Sequence, residues 1–418
     1  MESLIVEGGN RLEGEISISG AKNAVLPLMA ASILTEGINT FTNVPNLADV
    51  RTMAKLLEIL GGEVSLEGGN LTIDSTGINN WIAPYDLVKT MRASVLVLGP
   101  LTSRFGRARV SLPGGCAIGE RPIDQHLKGL SILGANIIIE EGYIETESEK
   151  LTGGIIPFDV STVTGTENIL LSAVLSQGET IILNAACEPE VTELANVLNK
   201  MGAKISGVGT DILTVQGVAK LDPIKNHEVL PDRIEAGTYI VASAITGGNL
   251  LLKNCRFENM GALIGKIIET GVKITQQNGG IRFEGNERPK SVDIKTLPYP
   301  GFPTDMQAQL MSLMAISDGL SIMTETIFPQ RFIHAGELRR MGADIKLVGN
   351  SAVIRGVSGI SGAPTMASDL RASASLVVAG LAARGKTRIS RIYHLDRGYE
   401  KLDEKLRSVG AKIWREKE

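Results

Sequence analysis

Cysteine and histidine are scarce in this sequence: three cysteines, Cys116, Cys187 and Cys255, and four histidines among 418 residues. An odd number of thiols with no C-x-x-C spacing provides no disulfide framework. The histidines lie far apart, so no zinc site is suggested, and reduced thiols with no metal and no cofactor are expected. Also missing is any apolar run long enough to span a bilayer. The opening residues, Met1-Glu2-Ser3-Leu4-Ile5-Val6-Glu7, have neither the basic nor the apolar region of a secretion signal. A cytoplasmic protein with no membrane partner is therefore expected. An excess of positive charge is absent too: the formal net charge is −4 and lysines and arginines are spread along the chain, which leaves no electrostatic footprint for nucleic acid.

What is present is a globular composition with 43% hydrophobic residues, in a chain too long for one ordinary core, so two to three domains are expected. The chain also repeats itself. A Gly-x-x-Val/Ile marker after an amphipathic stretch recurs at Gly61, Gly134, Gly202, Gly271, Gly342 and Gly410, with spacings of 68 to 73 residues. Each reads as a helix C-cap glycine handing the chain to a strand. A second marker, a small-residue apolar segment followed by glycine and an apolar strand, recurs in phase at Gly37, Gly106, Gly178, Gly248, Gly319 and Gly385. The segments before it, such as 24–34, 93–101, 306–316 and 372–382, are apolar nearly all round and predict helices buried on every side.

Each repeat thus reads strand, buried helix, strand, surface helix, hairpin: an α/β fold of six βαβαββ units in two groups of three. The last repeat stops one strand short. Residues 4–12 resemble the hairpin strand at 213–221, so the N-terminus is expected to complete the sixth repeat. The domains expected are then 22–229, and 1–21 with 230–418, with two crossings forming a hinge beside a cleft whose closure excludes water.

Fourteen residues before the second-marker glycines stand Asn23, Arg92, Thr164, Ile234, Asp305 and Arg371, at the starts of the buried helices. Ionisable side chains opening apolar helices are costly unless they face a cleft, and helix N-termini carry free N–H groups suited to anions. The competing reading is ordinary capping, which suits Asn, Thr and Asp but not Arg. Cys116, Arg331 and Arg397 lie 10, 12 and 12 residues beyond their own marker glycines, so three repeats place reactive or cationic groups at comparable strand ends. Cys116 lies in the glycine-rich run Pro113-Gly114-Gly115-Cys116-Ala117-Ile118-Gly119-Glu120-Arg121-Pro122, an electropositive setting in which a thiol is reactive, against the alternative of a packed side chain. Cys187 and Cys255, each after an apolar strand, read as packed side chains. Lys22, Arg92, Arg121, Arg331, Arg371 and Arg397 supply more cation than one carboxylate needs. A small polyanion would use them, since a charge pair 4 Å apart is worth about 4 kcal/mol at an effective dielectric of 20; for any one arginine a surface salt bridge is the alternative.

Gly20-Ala21-Lys22-Asn23-Ala24, the run from Leu112 to Asp124, Pro303-Thr304-Asp305-Met306-Gln307, Ser368-Asp369-Leu370-Arg371-Ala372 and the run from His394 to Tyr399 resemble, in order and spacing, segments of the UDP-N-acetylglucosamine 1-carboxyvinyltransferases, the enolpyruvyl transferases of cell-wall synthesis. The resemblance covers essentially the whole chain. It implies a two-domain inside-out α/β barrel of six βαβαββ units, with phosphoenolpyruvate and UDP-N-acetylglucosamine as substrates, in the first committed step of peptidoglycan synthesis. It also implies residue roles. Lys22, Arg121 and Arg397 would hold the phosphate of phosphoenolpyruvate, with Arg331 and Arg371 near its carboxylate and the intermediate. Arg92, Asn23, Asp305 and the backbone at Ile327 would hold the amino sugar, and Arg121, Pro122, Ile123, Asp124 and Gln125 would line the UDP group. The stretch around Thr164 and Gly165 would meet the diphosphate, although it lacks the lysine that some relatives carry there. Relatives with Asp at the Cys116 position resist fosfomycin, so sensitivity is implied here.

Within that resemblance Asp305, the acidic member of the six-fold set, is assigned as the base that takes the sugar hydroxyl proton. Cys116 is assigned as the acid, with phosphate or product release as its alternative role, and Asp369 is placed on the proton path. The alternatives are a 5-enolpyruvylshikimate-3-phosphate synthase, against which the 113–124 run argues, and a non-catalytic nucleotide-sugar-binding paralogue, against which Lys22, Cys116, Asp305 and Arg397 argue. Oligomeric state is left open.

Overall fold

The computed structural model describes residues 2–112, 123–277 and 279–417. They fall into two compact units, one built from residues up to Ser19 and from Pro231 onward, the other from residues between Gly20 and Leu230. The chain passes from one unit to the other at Ser19–Gly20 and again at Leu230–Pro231.

Among the described residues each unit holds three sheets of four strands and three buried helical segments. In every sheet a short leading strand runs parallel to the strand that follows the buried helix, which in turn pairs antiparallel with one strand of the hairpin. This is the expected βαβαββ order. The six sheets are separate, and none closes on itself among the described residues. The leading strands of the first and fourth repeats have changed places. Glu13–Ser17 precedes the helix Lys22–Ala31 in sequence but pairs with Asn249–Lys253, while His227–Glu228 pairs with Ile38–Thr42. The physical reason is the pair of crossings: each leading strand stays in the unit where it starts, and the chain leaves just after it. The strand Glu2–Glu7 lies between Lys386–Ser390 and Lys412–Lys417, antiparallel to both.

The core sits around the buried helices. Ala24 through Ala31, Ile234 through Ile245 and Arg371 through Leu381 are buried without interruption, which matches sequences apolar on every face. Two of the six begin as tighter 3-10 turns, Arg92–Val97 before Leu98–Phe105 and Thr304–Met306 before Gln307–Met314. Close helix packing needs small residues: a Cβ on Gly99 would lie 2.2 Å from Asn168 Oδ1 and 2.4 Å from Ser172 Oγ. The surface helices, such as Ala48–Ile59 and Pro189–Lys200, bury one face only.

All six glycines of the first marker have φ between 92° and 105°, the left-handed region that lets a helix end and a strand begin. The second marker shows one shift. In the fourth repeat the positive φ falls on Gly247, at 59°, rather than on Gly248. Paired glycines let either take the turn, and Gly248 instead lies close against the backbone of Leu12.

Candidate active site

In the unit that includes residues 231–417, the second residue of the 3-10 turn Thr304–Met306 is Asp305, with about a quarter of its side chain exposed. Its Oδ1 accepts a hydrogen bond from Arg331 Nη1 at 2.8 Å, and its Oδ2 accepts from Arg371 Nε at 3.0 Å and Nη2 at 2.8 Å. Burial alone would raise this carboxyl, but Arg371 and then Arg331 outweigh it and hold Asp305 well below the usual carboxylate range. Burial likewise works against the Arg371 charge, and Asp305 more than restores it. Both arginines are almost fully buried, two cations against the one carboxylate they touch, with Asp232 also acting on Arg371, so these charges are felt at low dielectric.

Around this triad the remaining groups have defined tasks. Asp369 caps the helix Leu370–Ala382: its Oδ1 accepts from the backbone N–H of Arg371 at 2.9 Å and of Ala372 at 3.0 Å, and its Oδ2 from Ser368 Oγ at 3.1 Å. Arg397 ends the 3-10 turn Ile392–Arg397, half-buried. Burial first and then Arg397 push the neighbouring His394 down from its ordinary value. The backbone N–H of Ile327 donates to Glu325 Oε1 at 2.8 Å, so that donor is already engaged. Buried His334 is pushed down to about 4 by burial and by Arg331, against the opposing charge of Asp369, and stands neutral at pH 7.

In the other unit, Lys22 opens its helix with Nζ 3.3 Å from Asp49 Oδ2, and the next residue, Asn23, is exposed. Arg92 opens its 3-10 turn, and Thr164 and Gly165 lie in the first turn of Val163–Ala173, whose cap is Thr162. Ile123 immediately precedes the helix Asp124–Ile132, with Asp124 exposed at its start. Gln125 is buried and fixes the turn at Asp159, donating to its Oδ2 at 3.1 Å and accepting its backbone N–H at 3.0 Å.

Buried His126 joins these segments. The backbone N–H of Gly99 meets Asn168 Oδ1 at 2.7 Å, which turns the Asn168 amide nitrogen toward His126 Nδ1 at 2.9 Å. Nδ1 is therefore the acceptor, and Nε2–H donates to Thr164 Oγ1 at 3.3 Å. Burial, then Arg92, pushes His126 down to about 4.

The structure thus brings Asp305, Arg331 and Arg371 into direct contact, and ties Thr164 to Asn168 through His126, whose ring also feels the charges of Arg92 and Asp124. The fourteen-residue rule lands on the second residue of five helical segments and the first of the sixth. Capping is not what those residues do: the side-chain caps are Thr162, Asp232 and Asp369. Cys116, Arg121 and Pro122 lie outside the described residues. Sequence reasoning assigned no role to His126, Thr304 or Glu325. A histidine one residue past the Arg121–Gln125 strip, and a threonine beside Asp305, were the available signals.

Comparison with known proteins decides the family. The family model described as EPSP synthase (3-phosphoshikimate 1-carboxyvinyltransferase) matches residues 6–406. The chain belongs to the EPSP synthase family. Within the EPSP synthase family it is 57% identical over 415 residues to the UDP-N-acetylglucosamine 1-carboxyvinyltransferase of Desulfosudis oleivorans, covering 99% of each chain. It is 56% identical to the protein of the same name from Myxococcus xanthus, with both chains fully covered. Among solved structures, the enolpyruvyl transferase NikO from Streptomyces tendae superposes with a TM-score of 0.90 at 24% identity, over 99% of this chain and 98% of that one. EPSP synthase from Acinetobacter baumannii superposes with a TM-score of 0.79 at 20% identity over the whole of both chains. At those identities the two structures establish the EPSP synthase fold and nothing finer.

Proposed function

We propose that this enzyme transfers the enolpyruvyl group of phosphoenolpyruvate to the 3-hydroxyl of UDP-N-acetylglucosamine and releases phosphate, the first committed step of peptidoglycan synthesis, in the cytoplasm. The observation that carries the reading is identity of 54–57% over the full chain to relatives named UDP-N-acetylglucosamine 1-carboxyvinyltransferase. No helix among the described residues is long and apolar enough to cross a membrane.

The reaction forms a bond from the sugar oxygen to the central carbon of phosphoenolpyruvate and puts a proton on its methylene carbon. The tetrahedral adduct then returns a methyl proton and breaks its bond to phosphate. Asp305 takes the hydroxyl proton, and Cys116 supplies the carbon-bound proton or serves phosphate and product release. An aspartate clamped by two arginines is a weak base, however. The donor's carboxylate is an anion that competes for those arginines, so binding phosphoenolpyruvate relaxes the clamp and raises the basicity of Asp305 when the acceptor is in place. Lys22, Arg121 and Arg397 hold the phosphate. Arg92, Asn23 and the backbone carbonyl of Ile327 hold the amino sugar; the 121–125 segment, Thr164 and Gly165 hold the nucleotide diphosphate.

The test is phosphate release from phosphoenolpyruvate, measured in parallel with UDP-N-acetylglucosamine and with shikimate 3-phosphate. Turnover with the nucleotide sugar alone is expected. Turnover confined to shikimate 3-phosphate would reassign the acceptor, and none with either would remove the enzymatic reading.

A further inference from the structure

Glu325, at the end of the strand Leu320–Thr324, is fully buried, and among the described residues no lysine or arginine pairs with it directly. Its carboxylate is divided between two tasks. Oε1 accepts three hydrogen bonds, from Thr296 Oγ1 at 2.7 Å and from the backbone N–H groups of Ile327 at 2.8 Å and Phe328 at 3.0 Å. Oε2 accepts one, from Thr304 Oγ1 at 2.9 Å. The main chain of Glu325 is also tied down, exchanging hydrogen bonds with Asn350: its N–H donates to the Asn350 carbonyl at 2.9 Å, and its carbonyl accepts from Asn350 Nδ2 at 3.1 Å.

The Thr304 hydroxyl connects this anchor to the charge cluster. Because its proton goes to Glu325, its lone pairs face the other way, and one accepts from Arg331 Nη1 at 2.9 Å. That same nitrogen donates to Asp305 Oδ1 at 2.8 Å. A buried carboxylate that only accepts thus dictates the direction of the Thr304 hydroxyl. The hydroxyl in turn fixes the Arg331 nitrogen whose second bond orients Asp305.

We infer that Glu325 is a positioning residue for enolpyruvyl transfer, acting through Thr304 and Arg331 to set the angle and partner of the Asp305 carboxylate. The inference rests on the reading of Asp305 as the base. It explains why a charged side chain stands in the interior where a packed apolar one would cost less: a carboxylate can accept four donors from three chain segments, and an amide cannot.

Glu325→Gln separates the two tasks. With three donors converging on the Oε1 position, the amide oxygen must occupy it, and the amide N–H₂ then faces Thr304, where it cannot accept the hydroxyl proton. The turn at Ile327 is kept while the relay is broken. Thr304→Val breaks the same relay from the other side, and Thr304→Ser preserves it.

The experiment measures kcat, KM and melting temperature for Glu325→Gln, Thr304→Val, Thr304→Ser and the double variant Glu325→Gln/Thr304→Val, as phosphate release with each acceptor. Each relay-breaking variant is expected to lose about ten- to a hundredfold in kcat, as misplacement of a reacting group does, with KM for the acceptor changing less than about threefold. Thr304→Ser recovers most of the loss. The double variant falls no further than the worse single one, because both cut one path. Losses that multiply in the double variant, or folded variants with wild-type kcat and only a lowered melting temperature, would overturn the inference. Should Glu325→Gln not fold, the contrast between Thr304→Val and Thr304→Ser decides it. Turnover restricted to shikimate 3-phosphate would refute the acceptor assignment while the variant-to-wild-type ratios still tested Glu325.

Discussion

Asp305 shows how a residue can be legible in chemistry and illegible in circumstance. Its place in the six-fold set of helix starts marks it from sequence, since an acid among Asn, Arg, Thr, Ile and Arg is unusual. What no spacing rule conveys is that Arg331 and Arg371, 26 and 66 residues away, both land on its oxygens. These contacts depend on two other strand and helix ends of the same unit, and pairing across such distances is decided by tertiary packing. Replacing Asp305 with Asn keeps the shape and removes the base. The expected result is a loss of about 10²- to 10⁴-fold in kcat. Calorimetry should show retained UDP-N-acetylglucosamine binding, because an amide oxygen can still accept from one arginine and the sugar has other contacts. Wild-type-like turnover in that variant would take Asp305 out of the mechanism.

At the scale of elements, the glycine markers convert directly into structure, but equal sequence positions are not equal environments. Gly202 and Gly61 occupy the same place in their repeats and share a φ of 105°. A Cβ on Gly202 meets nothing within 4 Å, whereas on Gly61 it would lie 2.5 Å from the Gly77 carbonyl oxygen. Gly202→Ala is therefore expected to cost only the conformational term, about 1–2 kcal/mol, and Gly61→Ala clearly more, as read by urea denaturation. Equal losses would mean the backbone at 77 moves freely. The repeat, the buried helices and their polar starts could be read from the sequence because they depend on local periodicity. The expected division at residues 22 and 230 already parts Glu13–Ser17 from the helix it precedes, but the strand it joins could not be read, because nothing local distinguishes pairing with 249–253 from pairing with another strand of the same unit. The same limit hid His126 and Glu325: each serves by accepting from or donating to segments remote in the chain.

Over the whole molecule, buried ionisable groups set opposing pH dependences. His126 and His334 are each pushed from an ordinary value of 6.5 to about 4, so the unfolded chain binds their protons first; their contribution is complete above about pH 6.5 and is lost as pH falls toward 4. Glu167 runs the other way. Buried inside the helix Val163–Ala173, with Oε1 unpartnered and Glu190 and Glu188 nearby, it is raised well above its ordinary 4.5 by burial first and then by those two carboxylates. The folded state therefore keeps a proton that the unfolded chain releases. Its contribution is present below about pH 4.5 and is lost progressively as pH rises toward the folded value. Glu167→Gln removes the titration while keeping shape and neutrality. Measured by urea denaturation, the variant should match the wild type near pH 4.5 and exceed it increasingly at higher pH, by up to about 1.4 kcal/mol per pH unit. A constant difference across the range would show that Glu167 is ionised in the folded protein and that its neighbours, not its proton, accommodate the burial.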